Sequence, residues 1–374
     1  MKKIVVTFIA LISICIDSLA CTSAIVASYR SSEGAPLLWK HRDSDDGNSR
    51  VEYVQTDKYA YTAVVPNNKT HATAVYMGIN EKGLAVMNTA TNKLPKATEE
   101  EYAACSCEQT TYKFSTLMRF ALSDCATVEE FEAFLRKTKR KRGFCTNIGI
   151  ADANGTAAYF EIWDLGYCRY DVKDTAQGFD VRSNFSFKGD PTLGVSKRRY
   201  DLMMNEMAAH KGNFTPQQFM EHYSRSYNSV AYGNVLATND SFTCVNHTVP
   251  RATSVSSAVM VCDKENPRML VMNGHPVSSI AVPVYVKAKG CIPQCVTSDA
   301  MRVLSDDFRV KAYSELKHEG STLNKEVVRD VLKIKYPAIA MTKELPADME
   351  SYNSRIDKLF AKYEKQVRKV LKRY

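Results

Sequence analysis

Residues 18–45 read SLACTSAIVASYRSSEGAPLLWKHRDSD, and both the fold and the chemistry turn on them. Cys21 to Ser28 carries the β-branched and small residues of a buried strand. Glu33-Gly34-Ala35-Pro36 is a turn, and Leu37 to Arg42 reads as the paired strand. That hairpin brings Arg42-Asp43-Ser44-Asp45 to the end of the second strand. A thiolate needs a nearby cation to lower its pKa, and an α-ammonium needs a carboxylate to hold it. An Arg-x-x-Asp beside a cysteine strand supplies both, although four such residues alone also describe a surface ion pair.

What precedes the stretch sets the compartment. Lys2-Lys3 is a positive n-region, Ile4 to Ile16 an apolar h-region, and Ser18-Leu19-Ala20 places small residues at −3 and −1 of a cleavage site. The apolar run is too short to span a bilayer, and no later segment approaches spanning length. The expectation is an exported protein, periplasmic or secreted and of bacterial type, with residues 1–20 removed and Cys21 first. Three readings of that cysteine follow. It is an N-terminal nucleophile whose own α-amine, titrating near pH 7.7–8.0, serves as general base; or the acylated cysteine of an envelope lipoprotein; or a structural cysteine. Ser18 rather than leucine at −3 fits the lipoprotein reading poorly, and a lipid anchor has no need of Arg42 and Asp45.

Cys21-Thr22-Ser23, the Arg42-x-x-Asp45 of the next strand and Gly78-Ile79-Asn80-Glu81-Lys82-Gly83-Leu84-Ala85-Val86 together resemble the cysteine N-terminal nucleophile (Ntn) hydrolases. That group holds the choloylglycine hydrolases, the penicillin V acylases and the acyl-CoA:6-aminopenicillanate acyltransferases, and the secreted bacterial branch is the nearest in flavour. The resemblance implies an α+β fold, the four-layer αββα sandwich. It implies Cys21 as nucleophile and, through its amine, base, with Arg42 beside the thiol and Asp45 on the amine. It implies Asn88, near the end of the strand after Gly83, and Asn184, in Val181-Arg182-Ser183-Asn184-Phe185, as oxyanion donors. Arg199, in Ser196-Lys197-Arg198-Arg199-Tyr200, is then the supporting arginine, with Arg198 as the alternative.

The remaining pattern fits such a layered fold. Ala60–Val65 and Ala72–Tyr76 alternate like hairpin strands. Ser115–Ser123 reads as a helix, and Thr127-Val128-Glu129-Glu130 is a capping box opening another through Lys137. Asn147–Ala151 and Ala157–Trp163 flank the hairpin signal Asn154-Gly155. Lys197–His210 and Pro216–Ser224 read as helices; Val255–Cys262, Met269–Met272 and Ile280–Val286 as strands. An Ntn-hydrolase domain over 21–297 is then followed by a helical extension over 298–374. In the extension Ile356, Leu359, Phe360, Tyr363, Val367, Val370 and Leu371 mark one apolar helix face.

Composition narrows the function further. The 374 residues are 45% hydrophobic and 24% charged, which excludes disordered and repeat-array readings. Net charge is +9, with basic runs at Arg136–Arg142 and along 351–374; no nucleic-acid motif accompanies them, so they read as solvated faces. Cysteines 105, 107, 125, 145, 168, 244, 262, 291 and 295 leave disulfides open but unpaired by sequence. No histidine stands at zinc spacing near Cys105-x-Cys107 or Cys291-x3-Cys295, and no Gly-x-Ser-x-Gly, Walker or dinucleotide motif occurs. The expectation is an amidase or acylase acting on a small N-acyl amide, with acyltransferase activity left open. No cofactor, metal or nucleic acid is expected, and a membrane only if Cys21 is lipidated. A homo-oligomer is left open. The alternatives are a dipeptidase of the N-terminal cysteine type and the non-catalytic lipoprotein.

Overall fold

The computed structural model describes residues 21–67, 74–91, 94–95, 97–104, 114–137, 145–189, 195–238, 247–316 and 321–374. Residues 1–20, expected as a leader, Cys105, Cys107, Cys244 and the end of the 136–142 run lie outside them. The chain begins with the paired strands β1 (Thr22–Val26) and β2 (Leu37–Asp43). It then runs through an antiparallel meander: β3 (Ser49–Val54), β4 (Tyr61–Pro66), β5 (Met77–Asn80), β6 (Ala85–Ala90), β7 (Thr146–Ala151), β8 (Ala157–Ile162) and β9 (Tyr167–Asp171). β10 (Phe179–Arg182) returns to the other side of β1. After a short ribbon of β11 (Asn228–Ser229) and β12 (Gly233–Asn234), strands β13 (Ser254–Val261), β14 (Arg268–Met272) and β15 (Val282–Tyr285) extend the first sheet. Its order is β10-β1-β2-β13-β14-β15, against the seven-stranded β3 to β9 sheet.

Alternation along the strands sorts side chains into layers. Ile25, Leu38, Met77, Met87, Tyr159, Ala258 and Val271 face inward and form the core between the sheets. Ala24, Val26, Leu37 and Trp39 face outward under α4 (Val195–Ala209). On the far side Ala63, Val86, Ile148 and Phe160 pack under α2 (Phe114–Asp124) and α3 (Val128–Lys137), with the short α1 (Glu99–Ala104) before them. Helix, sheet, sheet, helix is the αββα arrangement that the resemblance implies.

The last helices are α5 (Gln294–Thr297), α6 (Ala300–Ala312), α7 (Lys325–Leu332) and α8 (Met349–Leu371). They extend the inter-sheet core: Leu304, Phe308, Val328, Ile356, Phe360, Tyr363 and Val367 are buried in one cluster with Ile25, Leu38 and Met260. At the turn end of the sheets, Gly83 has φ +80°, and a Cβ there would lie 2.9 Å from both the Asp263 carbonyl oxygen and the Ala153 Cβ. Three hairpin turns from the two sheets therefore meet at one glycine.

Two readings of the sequence move. The second strand of the hairpin expected over 60–76 is β5, which starts at Met77, with the Tyr76 amide already bonded to the Val64 carbonyl of β4; residues 72 and 73 lie outside the described residues. Gly78 lets the two strands close up, since a Cβ on it would stand 2.7 Å from the Ala63 Cβ. Pro216–Ser224 is not a regular helix; Gln218–His222 is a wide π turn that tightens to 3-10 geometry at Tyr223–Arg225. If the C-terminal helices share the sheets' core, Phe360→Ala lowers the stability of the whole fold by about 3–5 kcal/mol, in one cooperative transition on chemical denaturation.

Candidate active site

The inner-facing parity of Ile25 and Leu38 carries down both strands to their open end. Ser23 pairs with Lys40 and Thr22 with His41, so one further step sets Cys21 opposite Arg42. Cys21, just before β1, Ser23 on β1, and Lys40 and Arg42 on β2 therefore share the face turned toward the second sheet. Cys21 is 4% exposed, its Sγ 3.9 Å from the Asp43 carbonyl oxygen.

From the outer layer, the first turns of α4 deliver Arg199. Its fully buried guanidinium donates from Nη1 to the Cys21 carbonyl oxygen at 2.6 Å and to Thr22 Oγ1 at 2.7 Å, and from Nη2 to Asn184 Oδ1 at 3.0 Å. Asn184 passes the tie onward, donating from Nδ2 to the Ala90 carbonyl at 2.6 Å at the end of β6. Arg198 is rotated by one helical step and meets His247 Nε2 at 2.7 Å instead. Between the two arginines, it is Arg199 that touches Cys21.

Arg42 is buried, with its guanidinium 3.8 Å over the Tyr76 ring and Nη2 donating to the Asp46 carbonyl at 3.2 Å. Its Nη1 is buried without a hydrogen-bond partner among the described residues. Asn88, on β6 of the opposite sheet, accepts at Oδ1 from Lys40 Nζ at 2.7 Å and donates from Nδ2 to Thr146 Oγ1 at 3.2 Å. Lys40 also donates to the Tyr76 carbonyl at 3.0 Å.

Asp45 departs from its expected place. β2 runs through Asp43, and the chain then turns, with the Ser44 amide on the Thr253 carbonyl and the Asp46 amide on Ser44 Oγ. The turn leaves Asp45 exposed, with no hydrogen bond or ion pair among the described residues. The buried carboxylate is that of Asp43, which faces outward and is held by Ser254 Oγ at 2.7 Å and Arg251 Nη2 at 2.5 Å.

Sequence reasoning passed over several supports. Lys40 was legible from the Leu38-Lys40-Arg42 alternation. Asn147 was not: it braces the Asn184 loop by donating to the Ser183 and Phe185 carbonyls at 3.2 and 2.9 Å. Nor was Ser23 Oγ, 2.9 Å from Tyr159 Oη, with Arg182 stacked 4.8 Å over that ring. The cysteines Cys125, Cys262 and Cys295 are buried thiols outside any disulfide, and burial pushes their pKa up, to about 12 for Cys125. Among the described residues no histidine, cysteine and carboxylate cluster is arranged to hold a metal.

Residues 42–184 match the family model of acyl-coenzyme A:6-aminopenicillanic acid acyl-transferase. The match runs from Arg42 to Asn184, two of the expected site residues, and leaves Cys21 and the C-terminal helices outside it. Three solved structures are similar to this chain. A conjugated bile acid hydrolase from Clostridium perfringens is 12% identical with TM-score 0.45, covering 71% of this chain and 93% of its own. An N-acylethanolamine-hydrolyzing acid amidase ortholog from Caenorhabditis elegans is 18% identical with TM-score 0.41, covering 65% and 93%. A penicillin V acylase from Agrobacterium tumefaciens is 15% identical with TM-score 0.44, covering 71% and 86%. No curated protein matches this chain in sequence.

Two expectations follow from the geometry. Arg199→Met leaves the Cys21 carbonyl and Asn184 Oδ1 without their charged donor, and lowers unfolding free energy by about 2–3 kcal/mol in urea denaturation. Burial holds the His41 pKa down at about 4, against an ordinary 6.5. The unfolded chain takes up that proton as pH falls through 6.5, so stability is full above 6.5 and declines toward pH 4. The decline is about 1.4 kcal/mol per pH unit for one proton. His275, also buried and lowered, adds to it in the same window. His41→Gln flattens the curve by one proton's slope, which denaturation at pH 4 to 7 reads directly.

Proposed function

We propose that this chain is an exported amidase or acylase that cleaves a linear, non-peptide amide through a thioester on Cys21. The observation that carries the reading is the convergence on Cys21 of groups from both sheets and α4: Arg42 across the strand, Arg199 on its carbonyl, and the carboxamides of Asn88 and Asn184 beyond. Removal of residues 1–20 would make the Cys21 amine the base. In that state the amine takes the thiol proton and the thiolate attacks the amide carbon. Asn88 and Asn184 are the candidate donors to the resulting oxyanion, each such contact contributing roughly 2.7–4 kcal/mol in comparable sites. The C–N bond then breaks, and the leaving amine departs with the proton from the α-ammonium. Water, deprotonated by the same amine, attacks the thioester and releases the acid. An acceptor amine in place of water makes the reaction an acyl transfer. The Cys21 sulfur is buried, 3.9 Å from the Asp43 carbonyl oxygen, whereas a lipid anchor needs its sulfur at the surface. That favours a nucleophile over a lipid anchor.

The test is intact mass and N-terminal sequencing of the protein exported from a bacterial host, with N-acyl amides and dipeptides assayed side by side. A chain starting at Cys21, whose N-acyl amide turnover falls roughly 10³–10⁶-fold in Cys21→Ala, is expected. A mature start elsewhere, a diacylglycerol mass increment, or turnover of dipeptides alone overturns the reading.

A further inference from the structure

Lys40 stands in the candidate site without a part in the reaction just described. It is 2% exposed and meets no carboxylate within ion-pair distance among the described residues. Its ammonium is spent on two oxygens, Asn88 Oδ1 at 2.7 Å and the Tyr76 carbonyl at 3.0 Å. An unpaired buried ammonium is costly, and a fold gains stability by replacing one with an apolar chain of similar shape unless the charge serves something.

Two things it serves are visible in the geometry. A carboxamide is nearly symmetric in shape, so packing alone does not say which end points where. An ammonium only donates, so it selects the oxygen and fixes Asn88 with its nitrogen turned the other way. Lys40 also lies diagonally across from Cys21 on the same inner face, one pleat from Arg42, so the nucleophile has two cations beside it on β2. The charged groups acting on Lys40 are Cys21 on β1 and Arg42 and Asp43 on β2. Burial draws its pKa down to about 8, while a negative Cys21 draws it up and Arg42 draws it down. The coupling is reciprocal: whatever a thiolate does for the ammonium, the ammonium does for the thiolate.

We propose that Lys40 is a positioning residue of this site, orienting the Asn88 carboxamide by its oxygen and adding a second positive charge beside the Cys21 thiolate. The proposal rests on Cys21 being the nucleophile, and its test separates the two. The first arm needs no substrate: the rate at which iodoacetamide alkylates Cys21 in the mature protein, from pH 5 to 9, with Cys21→Ala as the blank for other thiols. Lys40→Met is expected to slow alkylation at pH 7 about tenfold and to move the profile up by about one pH unit, with Lys40→Arg restoring most of the rate. The melting temperature of Lys40→Met should be unchanged or higher, which excludes a folding defect.

The second arm is steady-state turnover of an N-acyl amide. Lys40→Met should lower kcat about 10²-fold with KM little changed, and Lys40→Met in an Asn88→Ala background should cost only the roughly tenfold that belongs to the thiolate, since the rest of its effect acts through Asn88. An alkylation profile that Lys40→Met leaves in place overturns the charge role. A double variant slowed by the full product of the two single effects overturns the orienting role. If the wild-type protein alkylates at Cys21 but turns over no N-acyl amide, the amidase reading falls alone and the first arm still decides Lys40.

Discussion

The two-residue period of a β-strand is the constraint on which the rest depends. Once Ile25 and Leu38 are committed to the apolar layer between the sheets, Cys21, Ser23, Lys40 and Arg42 have no choice of side. A one-residue slip of β1 against β2 would send the thiol under α4 and put Thr22 in the cleft. The register is held by what lies on each side of the sheet: Trp39 and Ala24 against the outer helix, Ile25 against the inner core. The hydrophobic effect thus does the positioning, and the polar groups take up places already determined.

Those polar groups in turn join parts of the chain that are distant in sequence. Arg199 ties α4 to Cys21 and Asn184, Asn184 ties that loop to the end of β6, and Lys40 ties β2 to β6. Each link joins elements that lie far apart in the sequence, as do Ser23–Tyr159 and the Asn147 brace on the Asn184 loop. Buried networks of this sort specify one geometry because every unmade bond is costly in a low dielectric. The site is assembled from four segments, and none of them can shift by a residue without stranding a donor or an acceptor.

Much of this was legible in the sequence. The hairpin and the Gly78–Val86 segment point to the αββα fold, and the strong periodic elements, α3, α4, β7, β8 and α8, fall where the pattern puts them. Arg199 is bonded to the Cys21 carbonyl and to Asn184, and Asn88 meets Lys40 on the same inner face; their roles stand as proposals. What was not legible has physical causes. The exposure of Asp45 follows from a turn fixed by the Thr253 carbonyl, more than two hundred residues away. Asn147 and Tyr159 act through contacts between sheets, which no local pattern encodes. The inward aim of Lys40 is local information, but a lysine on a strand reads as solvent-facing until its neighbours are known to be buried.

The glycine at which three turns meet has a wider consequence. It clamps the two sheets backbone to backbone at one end, leaving the strands' other ends to be held apart by side chains. Between that clamp and Cys21 lies the apolar layer of Ile25, Leu38, Met77, Met87 and Met260. Charge developing beside Cys21 therefore has hydrocarbon rather than water on that side, and its interactions with the cations of β2 are the less screened for it.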